Sequence, residues 1–164
     1  RFTFRNKAER SSKGRNSELF SANEYKLAIY ALEPKLAYQK GSNFRTMVSA
    51  ALKNKTNQPQ FGGEFTQFRK IGIETTYNMI NQGRMTAGIS YVSTTLNGTE
   101  NTGNSSPLAF DMLEGFQVGT NYTWKATYQR SFKNNLQLSI RYEGRTSETA
   151  QTIHTGNMQV QLMF

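Results

Sequence analysis

Residues 136–145 read LQLSIRYEGR. Leu136, Leu138, Ile140 and Tyr142 fall on one side of an extended chain, and Gln137, Ser139, Arg141 and Glu143 on the other. A period of two marks a strand with one apolar and one polar face. The pattern recurs in NYTWKATYQR, where Tyr122, Trp124, Ala126 and Tyr128 oppose Thr123, Lys125, Thr127 and Gln129. In IGIETTYNM, Ile71, Ile73, Thr75, Tyr77 and Met79 oppose Gly72, Glu74, Thr76 and Asn78. RMTAGISYV and FRTMVSAALK repeat it, and Val, Ile, Thr, Tyr and Phe populate all of these segments, as strands prefer.

Worked outward from these, the pattern predicts strands over 2–10, 28–40, 43–54, 65–80, 84–97, 121–132, 135–147 and 152–164. Within 28–40, Tyr30, Leu32, Pro34, Leu36 and Tyr38 keep one face straight through the proline. That predicts a single strand, with a bulge where Pro34 deprives the ladder of a donor. No segment of comparable length has a helical period, so the expected class is all-β.

The connections add order. Gly41-Ser42, Asn81-Gln82-Gly83 and Lys133-Asn134 are short and have tight-turn chemistry, whereas 11–27, 55–64 and 98–120 are long and 148–151 is intermediate. Short and longer connections alternate, which is the signature of an up-and-down transmembrane β-barrel. Strands of this length match the roughly 9–11 residues that a tilted strand needs to cross a bilayer.

In that architecture one face meets lipid and the other the lumen. Tyr38, Phe44, Tyr77 and Phe164 then form an aromatic rim near the short turns, and Tyr30, Tyr91, Tyr122, Trp124 and Tyr142 a second rim near the long loops. The lumen face carries Lys35, Arg45, Lys53, Lys70, Arg84, Lys125, Arg141 and Arg145 against Glu33, Glu74 and Glu143. This positive excess favours either anions or an inserted acidic segment; a network of hydrogen-bonded charges without a transport role is the competing reading.

Composition agrees with a two-faced sheet. Only 36% of the 164 residues are hydrophobic, yet 12% are aromatic, which disordered chains are not. No apolar run reaches the roughly 20 residues of a transmembrane helix. The formal charge of +9 raises nucleic-acid binding, but the basic residues are spread singly along strands, so no nucleic-acid partner is expected. The chain contains no cysteine, which removes disulfides and thiol chemistry. It opens on Arg1, so a processed chain or a piece of a longer one is expected.

Catalytic signals are sparse. His154 is the only histidine and Asp111 the only aspartate, and no metal cluster or phosphate-binding loop is present in the sequence. The expectation is therefore no enzyme, no cofactor and no metal, with His154 as a structural residue at the membrane edge. In the loop 98–120, Leu108, Phe110, Leu113 and Phe116 are too apolar for a free extracellular segment. They predict packing against the rim or the strands; a lid over the pore, or a surface for another outer-membrane or surface protein, is the sharper alternative.

SPLAFDMLEGFQVGTNYTWKATYQRSFKNNLQLSIRYEGR, followed by TIHTGNMQVQLMF, resembles the C-terminal end of large outer-membrane proteins of Bacteroidota. The resemblance is close over 107–164 and a matter of strand rhythm over 28–97. It implies that the eight strands are either the last part of a bigger barrel or a barrel following large upstream domains, and it carries over no catalytic or binding residue. A link to the giant secretion barrel of the type IX system rests on general similarity. Met158, Val160, Leu162 and Phe164 then look like the terminal signal read by the barrel-assembly machinery. Lipid and that machinery are the expected partners, and the bacterial outer membrane the expected location. Two readings compete with this porin-like pore wall or anchor: a complete small eight-stranded barrel, and a soluble lipocalin-like barrel around an apolar ligand, which would show identical alternation.

Overall fold

The computed structural model describes residues 2–13, 25–80, 83–98, 107–132 and 135–162. Eight strands, β1 (Phe2–Lys13), β2 (Tyr25–Lys40), β3 (Phe44–Asn57), β4 (Phe65–Met79), β5 (Gly83–Asn97), β6 (Gly119–Ser131), β7 (Leu136–Ser147) and β8 (Ile153–Leu162), follow one another in space as in sequence. Every neighbouring pair is antiparallel, and β1 and β8 form the two edges of the sheet. A seven-residue helix, α1 (Pro107–Leu113), lies between β5 and β6.

The turns explain the meander. Gly41, Gly83 and Asn135, one at each short connection, have positive φ, which Gly and Asn tolerate best. At Gly83 a Cβ would overlap the carbonyl of Gln129, so glycine is needed there for space as well as for backbone angle.

The bulge expected at Pro34 is absent. Leu32 opposes Leu52 and Lys35 opposes Ser49, so the β2–β3 ladder skips Glu33 and Pro34 and resumes without inserting a residue. On the other side Pro34 still pairs with Phe4 of β1. Losing one N–H donor interrupts a ladder without changing its register.

The strands are strongly staggered. The row of paired residues starting at Ile153, the loop-side end of β8, reaches β2 at Lys35, ten residues from its loop-side end at Tyr25. The row starting at Lys40, the turn-side end of β2, meets β8 at Met158, four residues from its end at Leu162. With a rise of about 3.3 Å per residue and about 4.8 Å between strands, the mean stagger corresponds to a tilt of about 40°.

The two faces are unlike, and the apolar one is exposed. Ile71 is 55% exposed, Ile73 45%, Ile89 53% and Met158 70%. The opposite face is polar and lines cavities; we call it the inner face. Its loop-side end holds the core: Phe68, Val92, Thr66, Thr94, Asn57 and Asn121 are buried there, as are Ala109, Met112 and Leu113 from α1 and its end.

Candidate functional site: the polar inner face

All eight predicted lumen-facing cations lie on this face, as strand parity and register require. One row runs Lys35, Ser49, Gly72, Ser90, Thr123, Arg145, Ile153, and a parallel one Arg45, Thr76, Thr86, Thr127, Arg141, Asn157. Lys53 pairs with Phe68, Lys70 with Val92, Lys125 with Glu143 and Arg84 with Gln129 in the same parity. The small residues in the central rows leave room. A cavity of about 520 Å³ lies over them, lined by Ser49, Lys70, Ser90, Lys125 and Arg145 among others. Ser90 leans across Gly72: a Cβ on that glycine would stand 2.6 Å from the Ser90 hydroxyl.

Three of the eight cations have carboxylate partners. Lys125 on β6 reaches over Gly88 on β5 to Glu74 on β4, 2.5 Å away. Lys53 contacts Glu33 at 3.6 Å and Glu114 at 2.9 Å, and Arg141 lies 3.6 Å from Glu143. Among the described residues, Lys35, Arg45, Lys70, Arg84 and Arg145 have none.

The loop-side end of the face is filled by the segment after β5. Ala109, Met112 and Leu113 turn into the core, and the Phe116 ring packs at 5.8 Å from that of Phe68. The Lys53 ammonium sits 5.3 Å above the Phe68 ring. Polar bonds pin the segment's far end: Thr94 Oγ1 donates to the carbonyl of Gln117 at 2.6 Å, and Asn121 Nδ2 donates to the same oxygen at 2.8 Å. Packing against the strands, expected from the apolar loop, thus takes place on the inner face. Phe110 remains 66% exposed.

Two residues absent from the sequence-based site complete this cluster. Glu114 ends the helical segment with a positive φ, and its carboxylate meets Lys53 at 2.9 Å and Lys55 at 3.1 Å. Lys55, almost fully buried, also donates to the carbonyl of Asp111 at 2.7 Å. Burial opposes ionisation of Glu114, but the hydrogen bond from Lys53 and the charge of Lys55 outweigh it and hold the carboxyl below the usual carboxylate range. Lys55 was legible as the next inward position after Lys53, but lies beyond the predicted end of its strand. Glu114 carried no sequence signal beyond its apolar neighbours.

On the outer face the expected aromatics divide. Tyr30, Tyr38, Tyr77, Tyr91, Tyr122 and Tyr142 are exposed, whereas Phe44 and Trp124 are half-buried. Trp124 covers Gly144, where any Cβ would overlap the indole. Its ring lies 5.9 Å from that of His154, and His154 Nδ1 shares a 2.8 Å hydrogen bond with the Tyr142 hydroxyl. His154 therefore belongs to an outer aromatic cluster, while Asp111 sits in the segment packed on the inner face; the fold does not bring the two together. Met158, Val160 and Leu162 are exposed on the outer side of β8. Phe164 lies outside the described residues.

No group of side chains among the described residues is arranged to hold a metal ion, and no helix among them is long and apolar enough to cross a membrane. Compared with protein-family models, curated proteins and solved structures, the chain matches none.

Proposed function

We propose that the chain is a module of a bacterial outer-membrane β-barrel, serving as membrane anchor or pore wall in a secretion, uptake or surface complex. One observation carries this reading: the sheet is inside-out. Its outer face is an exposed belt of Leu, Ile, Val, Met and Tyr, while the opposite face, which lines open cavities, carries Lys, Arg, Glu, Ser and Thr.

Physical reasoning supports lipid as the missing solvent. Exposed apolar patches of more than a few hundred Å² are rare on soluble monomers. On β4 the outer apolar positions run from Ile71 to Met79, nine residues. At about 3.3 Å per residue and a tilt of about 40°, that is a belt of roughly 20–23 Å, close to the roughly 25 Å apolar band of such barrels. A lipocalin-like barrel places its apolar face inward around the ligand, the reverse of this arrangement.

The reading is tested by folding the purified chain into phospholipid vesicles. Strand-rich circular dichroism, protease protection and a folded band whose mobility changes on heating in detergent gels are expected. A chain that stays folded and monomeric in detergent-free buffer would overturn it.

A further inference from the structure

The inner face has more positive charge than its carboxylates neutralise, and the excess is not random in position. Lys70 lines both the 520 Å³ cavity and a neighbouring one of about 220 Å³. Lys35 and Lys53 line the smaller cavity and Lys125 and Arg145 the larger. Lys53 and Lys125 are held by glutamates, which leaves Lys35, Lys70 and Arg145 as a chain of cations without carboxylate partners among the described residues. Hydroxyl groups of Ser49, Ser90 and Thr123 stand between them along one pairing row.

The molecule also displays the kind of group that such a surface takes. Glu114 is a carboxylate delivered by a loop onto this face, and Lys53, one of the two lysines that receive it, lines the small cavity together with Lys35 and Lys70. The chain's own carboxylate fills the loop-side part of the cationic surface, and the part toward the turns is left for a solute. Glu74 and Glu143 also line the larger cavity and Glu33 and Glu114 the smaller, so each holds three cations against two carboxylates, and the surplus positive charge concentrates counter-ions of the opposite sign.

We infer that the trough around Lys70 and Arg145 is a binding site for small anions bearing phosphate or carboxylate groups, with Ser49, Ser90 and Thr123 as hydroxyl donors. This deepens the reading of the sheet as a pore wall, for which it names the solute class.

Because the chain has no cysteine, Ser90→Cys provides a single thiol inside the trough with little change in volume. In detergent micelles we expect an anionic thiosulfonate reagent to outpace a cationic one there by about tenfold, relative to the same ratio at Ser42→Cys in an exposed turn. Millimolar inorganic phosphate is expected to slow modification of Ser90→Cys by a neutral maleimide. Adding Lys70→Gln and Arg145→Gln should abolish both effects, while adding Arg84→Gln, near the turns, should leave them. Equal reagent ratios at the two thiols, an unreactive thiol at 90, or effects that survive Lys70→Gln with Arg145→Gln would each overturn the site. Failure of the membrane reading would appear separately, as a chain that ignores vesicles while keeping the charge preference at position 90.

Discussion

Lys125 and Glu74 form an ion pair two strands apart, and the residue between them, Gly88, has no side chain to stand under the lysine stem. A Cβ at Gly88 would meet the Lys125 Cε at 3.4 Å and the carbonyl of Ile73 at 3.2 Å. The pair ties β4, β5 and β6 together across the floor of the trough. Both groups are partly solvated, so Glu74→Gln should cost about 1 kcal/mol or less. Gly88→Val, which obstructs the pair and crowds the backbone, should cost about 1–3 kcal/mol. Urea unfolding in micelles measures both, and an equal effect of the two changes would contradict the bridging role of the glycine.

Trp124 is the only tryptophan, so its seat on Gly144 can be read by fluorescence. Gly144→Val should drive the indole off β7, separate it from His154 and shift its emission. Overpacking of this kind costs about 1–3 kcal/mol. An unchanged spectrum would mean that the indole does not rest on the glycine.

Acid should release the inserted segment. The folded Glu114 carboxyl is more acidic than in the unfolded chain, so its contribution is complete above about pH 4.3, the unperturbed glutamate value. It is lost as pH falls through the lower folded value. Protection of the Ala109 to Leu113 amides, taken relative to the intrinsic exchange rate at each pH, should therefore fall below about pH 4.3, and Glu114→Gln should show low protection at neutral pH with little further loss in acid. An acid response that survives Glu114→Gln would place the switch elsewhere.

Charge on the two faces should have opposite tolerance. Ile73→Arg adds a guanidinium to the middle of the exposed belt and should cost about 2–4 kcal/mol of folding stability in lipid. Ser49→Arg, one strand away on the inner face, should cost much less. The comparison is made by folding titrations in vesicles, and similar losses for both would argue against lipid contact.

Much of this arrangement was legible because a strand's faces follow from parity alone. Once LQLSIRYEGR is taken as a strand, Arg141 and Arg145 must share a face, and register carries that face to Lys35 through Ser49, Gly72, Ser90 and Thr123. Helix α1 escaped because seven residues make about two turns, too few to establish a 3.6-residue period. The Glu114 contacts with Lys53 and Lys55 escaped because they join positions about sixty residues apart, a distance that no local pattern encodes. At Pro34 the lost donor predicts a bulge, but nothing in the chemistry of proline demands an inserted residue, and the register is unbroken.

Neighbouring positions 89 and 90 on β5 test the central claim most directly, since they point to opposite faces of the sheet. Ile89 is exposed on the apolar side, and Ser90 lines the trough. A fluorophore attached to Ile89→Cys in vesicles should be quenched by brominated lipid and shielded from aqueous iodide, with the reverse at Ser90→Cys. Iodide quenching at both positions with no quenching by lipid would contradict the account.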